Sequence, residues 1–349
     1  MAHMKKNIAI RCITKSSKGY GNLTRALTLA TSLKTQGYAI TFLITSNMTV
    51  KSILKKKKFN FCLIPKKLNS RNESVFLINF LKKNNFKLLI FDMREYGEIL
   101  SKHLSKFIPT ILIDDAFCKN AYADITINGS INKKFHKYNI KNKQTELFLG
   151  PKFFMANENF LKNKITNKKI IKKKKYTVMI SIGGSDPNHL TSYILKSIMH
   201  LSNIKIIIIV GPFFRDVYKI KNLIKNKKNI ELKYSPERIW NEFKNADIMI
   251  SKSGITLYEL AIMGIPTLCI SSFKHEEPSA QKFMSKNFLI NLGMQKNVDK
   301  NQIEKQLVKL LYDVKKRKIM SAQGKKIVDG KGLIRVTKII NSFLSKSNF

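Results

Sequence analysis

Acidic residues are scarce in this chain: 22 Asp and Glu stand against 65 Lys and Arg over 349 residues, a formal net charge of +43. Cysteine is scarcer still. The four present, Cys12, Cys62, Cys118 and Cys269, are far apart and form no C-x-x-C pair. That spacing excludes a disulfide framework and a zinc knuckle, and it fits a reducing compartment. No uninterrupted apolar run reaches the roughly 20 residues of a membrane span, and no signal-peptide core follows the N-terminus. Met1-Ala2-His3 reads as a cloning remnant ahead of a native start at Met4, and the expected location is cytoplasmic.

No helix-turn-helix, zinc-finger or RNA-recognition signature accompanies the positive charge. Lys dominates Arg within it, where Arg would serve bidentate phosphate recognition better. The abundance of Lys, Asn and Ile points in part to an A+T-rich coding bias. No nucleic-acid partner is therefore expected. The charge suits attraction to anionic substrates or peripheral contact with an acidic membrane surface. The KKKK runs at 55–58 and 172–175 flank apolar strands and read as solvated surface.

What is present is apolar residue in quantity, 44% of the chain, enough for two cores in a length that suggests two domains of roughly 150 residues each. Short runs rich in β-branched residues, NIAIRCI (7–13), AITFLIT (39–45), KLLIFDM (87–93) and PTILIDD (109–115), alternate with helical patterns such as LTRALTLATSLKTQG (23–37), which closes on Gly37 as a helix C-cap would. After a Lys- and Asn-rich stretch the alternation restarts: YTVMISIGG (176–184), IKIIIIVG (204–211), NIELKY (229–234), ADIMISKSG (246–254) and IPTLCIS (265–271). Alternating strand and helix predicts α/β architecture: two Rossmann-like domains, each with a parallel sheet covered by helices. The expected boundaries are 4–160 for the first domain, 161–175 for a basic linker, 176–332 for the second domain, and 333–349 for a helix that packs back on the first. Two such domains would face each other across a central cleft, where the carboxyl ends of both sheets hold ligands.

Three turns share one logic, in which a strand ends, glycines follow and a helix begins: Gly19-Tyr20-Gly21-Asn22, Gly183-Gly184-Ser185-Asp186, and Ser251-Lys252-Ser253-Gly254-Ile255-Thr256. Each offers free backbone N–H groups and a positive dipole end, which favour an anion. One such turn is often only structural, but three point to a ligand bearing a diphosphate. In the third, Ser253, Gly254 and Thr256 are placed to cradle phosphates. Glu259, one turn further on, is placed to accept hydrogen bonds from ribose hydroxyls; the alternative is that it simply complements the helix dipole.

These segments carry a resemblance. GYGNLTRALTLA fits a G-x-G-H-x-x-R-x-L-x-L-A pattern. IDDAF with ADITIN (113–128), LGPKFF (149–154), IGGSDP (182–187) and SKSGITLYELAIMGIP (251–266) follow in order over most of the chain. The chain resembles the GT-B-fold UDP-sugar enzymes that include the UDP-sugar hydrolases of pseudaminic-acid biosynthesis and the related spore-coat polysaccharide proteins. The last segment is also similar to the nucleotide-binding region of the lipid-linked GlcNAc transferases of peptidoglycan synthesis. The resemblance implies that the C-terminal domain holds UDP and that the N-terminal domain supplies the sugar-facing and reactive groups. Arg25 and Asn128 are expected among the substrate contacts, and neither a cofactor nor a metal is expected, the metal because helix N-termini and Lys252 can neutralise the leaving group.

The same resemblance exposes departures. The pattern's histidine, which in the hydrolases activates water, is Asn22 here. An aspartate two residues after the Arg of the first strand becomes Ile13, and a later Asn-Gln pair becomes His275-Glu276. A positioned base contributes on the order of 10²- to 10⁴-fold in rate, and an amide cannot take a proton at neutral pH. Asp92, Asp114 and Asp115, which end predicted strands, and His275 are the remaining candidate bases; turn formation is the alternative for each aspartate. His103, His136, His189 and His200 lie in no motif. Three readings follow: a UDP-sugar-dependent transferase acting on an unknown acceptor, a hydrolase releasing free 2,4-diacetamido-2,4,6-trideoxyhexose with water as acceptor, and a catalytically silent nucleotide-sugar-binding protein.

Overall fold

The computed structural model describes residues 6–12, 21–115, 118–164 and 170–346. The chain divides into two compact units, Met1–Ala156 with Lys331–Phe349, and Asn157–Gly330. The stretch 161–175, expected from its charge to be a linker, belongs wholly to the second unit. Two contacts hold its described part there: Lys173 pairs with Asp247 at 2.7 Å, and Arg317 donates to the Ile171 carbonyl at 3.0 Å.

Unit 1 runs β1 (Asn7–Cys12), α1 (Gly21–Thr35), β2 (Ala39–Thr45), α2 (Met48–Lys56), β3 (Asn60–Ile64), α3 (Ser70–Lys83), β4 (Phe86–Asp92), α4 (Glu95–Leu104), β5 (Thr110–Asp114), β6 (Asn120–Ala121), β7 (Ile125–Asn128), β8 (Asn139–Ile140) and β9 (Glu146–Leu149). Seven strands form a parallel sheet in the order β3-β2-β1-β4-β5-β7-β9, and β6 pairs with β8 apart from it. Leu43, Leu89, Phe91 and Leu112 on the strands pack against Leu77, Leu81, Leu100 and Leu104 on α3 and α4. These side chains sit on the inward stripe of each helix, which is why local propensity and burial agree. Asparagines start the helices: Asn47 and Asn69 accept from Val50 and Asn72 N–H at 3.1 and 2.8 Å.

Unit 2 runs α5 (Glu158–Lys162), β10 (Tyr176–Ser181), α6 (Leu190–Ile198), β11 (Ile204–Val210), α7 (Val217–Ile224), β12 (Ile230–Tyr234), α8 (Ile239–Phe243), β13 (Ile248–Ser251), α9 (Ile255–Met263), β14 (Thr267–Ser271), α10 (Glu277–Ser285), β15 (Leu289–Met294), α11 (Lys300–Tyr312) and α12 (Val314–Ile327). Its parallel sheet has the order β12-β11-β10-β13-β14-β15. The isoleucines of β10, β11 and β13 form one core face with α6 and α11. α9 is apolar almost all round and buried, as a helix held between a sheet and a second helix must be. It stops at Gly264, whose φ of +73° is a left-handed cap that suits glycine.

The chain re-enters unit 1 through Gly330 and Gly332. A side chain at Gly332 would come within 2.0 Å of the Phe154 carbonyl, so only glycine fits. α13 (Gly332–Lys346) then lies on α1, burying Leu333, Val336, Ile340 and Leu344. The two main sheets repeat one strand order, in which the direction of winding reverses between β1 and β4 and between β10 and β13. Such reversal points leave crevices at the strands' carboxyl ends.

Candidate functional site

At the reversal point of unit 1, the carboxyl end of β4 delivers Asp92, opposite Cys12 in register, and α1 delivers Asn22 and Arg25. Asp92 is fully buried. Arg25 grips it with two N–H groups, Nε to Oδ2 at 2.8 Å and Nη2 to Oδ1 at 2.6 Å, and Asn22 Nδ2 donates to Oδ1 at 2.5 Å. Burial, with the Asp115 charge beside it, holds the Asp92 carboxyl above its ordinary range on balance, although Arg25 and Asn22 pull against that rise. Three donors converge on it and leave no acceptor for a carboxyl proton, so we read the group as an ionised carboxylate. Burial works against the Arg25 cation, but the Asp92 charge and the other acids outweigh it and the net shift is upward. Burial and Asp92 together push the neighbouring Cys12 thiol up to about 12, which keeps it neutral.

Asp92 therefore holds Asn22 and Arg25 in place, and both of its oxygens are occupied. Asp115, one residue beyond β5, is different. Its side chain is 40% exposed, Oδ2 sits 3.3 Å from Arg25 Nη1, and Oδ1 has no partner among the described residues. Of the two aspartates, it is the one with an oxygen left to take a proton. Its neighbour Asp114 is buried and accepts from Tyr138 Oη at 2.8 Å. Tyr138 in turn accepts from Asn128 at 2.6 Å; Asn128 also donates to the Phe135 carbonyl and accepts from Ser130 N–H. Asn128, expected as a substrate contact, thus has its amide engaged by its own loop. Gly21 opens α1; Gly19 and Ile13 lie outside the described residues.

In unit 2, Gly183 holds φ +91° just past β10, and Gly184 packs so tightly on Gly211 that a side chain on Gly211 would meet its Cα at 2.4 Å. Ser185 is buried, and its hydroxyl has no partner among the described residues. Asp186, expected at the ligand, instead caps α6: it accepts from Leu190 and Thr191 N–H at 2.9 and 2.7 Å. Beyond β13, Ser253 is buried and Gly254 precedes the first turn of α9, in which Thr256 lies. Lys252 sits 3.7 Å from Glu276 and over the Phe273 ring. Glu276 is buried, which pushes its carboxyl up, against the pull of Lys252 and of the Ser272 and Phe273 N–H groups that it accepts. It closes the β14–α10 loop, a local use that competes with the expected ligand contact. His275 is exposed and stacks on Phe273.

Glu259 stands apart from these. It is 9% exposed, no hydrogen bond or ion pair engages it among the described residues, and burial alone pushes its carboxyl up to about 8. A dipole-complementing acid would sit in the exposed first turn; this one faces inward from the second. A buried Ser271 hydroxyl at the end of β14, not singled out by any sequence motif, is also without a partner among the described residues. Buried polar groups are nearly always paired. Ser185 follows β10, Glu259 lies on the helix after β13 and Ser271 ends β14, so the three stand at the carboxyl ends of three neighbouring strands of the unit 2 sheet, the end at which such sheets take ligands. No group of three or more His, Cys, Asp or Glu among the described residues forms a metal cluster.

Fold and site together define a two-domain α/β protein of the GT-B type, the fold shared with glycosyltransferase structures. Residues 162–333 match the Glycosyltransferase family 28 C-terminal domain. The spore coat polysaccharide biosynthesis protein SpsG of Bacillus subtilis (strain 168) is 25% identical over 331 residues, covering 93% of this chain and 94% of that one. In fold, the chain is similar to Acinetobacter baumannii MurG, with a TM-score of 0.71 and 14% identity over 97% of this chain and 99% of that one. It is also similar to Anabaena Alr3699/HepE, solved in complex with UDP-glucose, with a TM-score of 0.63 and 10% identity over 98% and 100%. The domain match and the shared fold support an enzyme of the glycosyltransferase class.

Proposed function

We propose that this chain breaks the bond between a sugar and UDP and transfers the sugar to an acceptor hydroxyl in the synthesis of a surface glycan. The observation that carries the reading is Glu259: a buried, unpartnered carboxyl one turn behind a glycine-led helix N-terminus, in a domain of glycosyltransferase type. In this reading Glu259 accepts the ribose hydroxyls. The N–H groups at the start of α9, with Lys252, stabilise the negative charge that grows on the departing diphosphate. The uridine assignment draws on the resemblance and on the UDP-glucose bound to the HepE neighbour. Asp115 takes the proton of the acceptor hydroxyl as its oxygen attacks the anomeric carbon and the bond to the diphosphate breaks. Asn22, Arg25 and Asp92 act as a fixed frame that orients Asp115 and the sugar.

Transfer is preferred over hydrolysis because the position that bears the water-activating histidine in the resembled hydrolases is an amide here, donating to Asp92. Hydrolysis of a UDP-2,4-diacetamido-2,4,6-trideoxyhexose is the second reading, favoured by one fact: the free oxygen of Asp115 would serve a water as well as an alcohol. UDP and free sugar are measured after incubation with UDP-sugars, with and without candidate acceptors. UDP release that depends on acceptor supports transfer, and free sugar at a useful rate without acceptor selects hydrolysis. Saturable UDP binding without turnover under any condition would make the chain a silent binder. Asn22→His is the companion variant; a gain of acceptor-independent hydrolysis identifies position 22 as the one at which the hydrolytic function was lost.

A further inference from the structure

The positive charge is not spread evenly. The first 72 residues contain no Asp or Glu and 15 Lys and Arg, where an even spread of the chain's 22 acids would put four or five there. The first acid, Glu73, is buried and bound by Arg11 at 2.8 Å, so it neutralises nothing at the surface. Eight of the cations, Lys51, Lys55 to Lys58, Lys66, Lys67 and Arg71, belong to α2, the loops flanking β3, and the start of α3. β3 is an edge strand of the unit 1 sheet. Among these cations stand three exposed apolar side chains: Met48 at 80%, Val75 at 53% and Leu63 at 41%. Met48 begins α2 just past the carboxyl end of β2, Leu63 pairs with Ile44 near the carboxyl end of β3, and Lys66, Lys67 and Arg71 follow β3 directly. Met48, Leu63 and this basic trio therefore share one rim, at the same end of the sheet as Asp92 and Asp115, with Val75 about a turn further along α3.

We propose that this rim docks on an anionic membrane leaflet. A second copy of the chain is a poor occupant of the edge strand, because eight cations would meet eight. Nucleic acid would use the charge but not the aliphatic side chains, and seven of the eight cations are Lys, which recognises phosphate as a point charge and not as a fork. A leaflet of acidic lipids satisfies both features: headgroups meet the lysines, and Met48 and Leu63 enter the boundary beneath them. The inference is independent of the reaction proposed above and holds whichever sugar chemistry the site performs.

The test is cosedimentation of the whole chain with vesicles of phosphatidylcholine alone or with added phosphatidylglycerol. Binding is expected only to the anionic vesicles, and salt is expected to weaken it. At about fivefold per cation, Lys66→Gln, Lys67→Gln and Arg71→Gln combined weaken it on the order of 100-fold. Met48→Ser, which leaves the charge unchanged, weakens it about tenfold by removing one apolar anchor. The control is Lys225→Gln, Lys227→Gln and Lys228→Gln combined, three exposed lysines of unit 2, expected to stay within about twofold. Equal loss in the two triple variants would make the attraction a property of net charge and overturn the surface. So would equal binding to neutral vesicles, no binding to either, or tighter binding of a DNA duplex through the same three rim side chains.

Discussion

The two units repeat one strand order and reverse it at the same place, yet they furnish the two crevices in opposite ways. In unit 1 the polar groups face each other: Arg25, Asn22 and Asp92 form a closed set, with Asp115 at its edge. In unit 2 the strand ends carry glycine turns, two serine hydroxyls and Glu259, none of the last three with a partner among the described residues. The difference teaches that topology supplies the location and leaves the chemistry to a few side chains. A frame whose members satisfy one another is rigid without a ligand and can hold a reacting group still. A set of groups left without partners carries a standing penalty that a ligand relieves, so it gives affinity.

The contrast is broken most forcefully at Arg25. Arg25→Met leaves Asp92 charged, buried and without its main partner, and is expected to cost unit 1 about 3–5 kcal/mol in denaturant unfolding. Adding Asp92→Leu to that variant should restore most of the loss; a cost below about 1 kcal/mol for Arg25→Met alone would mean that the frame is not what holds this crevice together. Next is Asp115→Asn, which keeps shape and removes the base: turnover should fall on the order of 10²- to 10⁴-fold with little change in unfolding, and an unchanged kcat would move the base elsewhere.

The smallest effect is at Glu259, where the sign of the pH dependence is distinctive. Its carboxyl titrates at about 8 in the folded chain against an ordinary 4.5. Between those values the folded state binds more protons than the unfolded one, so stability falls as pH rises through that window. Glu259→Gln should flatten this slope and weaken UDP binding about fivefold, the loss of a hydrogen bond or two. Calorimetry in buffers of different ionisation enthalpy should also detect proton release when UDP binds at pH 7, absent in the variant. A slope identical in both proteins would return Glu259 to the role of a buried structural acid.

How much of this was legible in the sequence depended on burial. The central strands β1, β4, β5, β10, β11 and β13 are continuous apolar runs because both their faces are covered, and such runs announce themselves. Three of the four edge strands, β3, β9 and β15, have mixed burial, and β7 is only four residues long, so none of these makes a run that stands out from a loop; β12, equally mixed, was legible as NIELKY. At the site, the glycine turns and Glu259 could be found locally, since strand, turn and helix are consecutive. Arg25 with Asp92 could not, since 67 residues separate them and only the sheet brings them together. The same holds for Asn128, whose amide is claimed by Tyr138, and for Asp186, whose capping role depends on where α6 begins.

The return of the chain to unit 1 gives its synthesis an unusual timetable. Lys6 donates to the Leu344 carbonyl at 2.6 Å, and Tyr38 and Gln36 hydrogen-bond Asn341. The inner face of α13 thus reaches α1 and the start of β1 only after all of unit 2 has been made. At 5–20 residues per second a ribosome needs roughly 10 to 40 s to go from the Ala156 end of unit 1 to the end of α13. In that time the face of α1 that α13 will cover stays open while the second unit has time to fold, so the last helix of the chain completes the first unit.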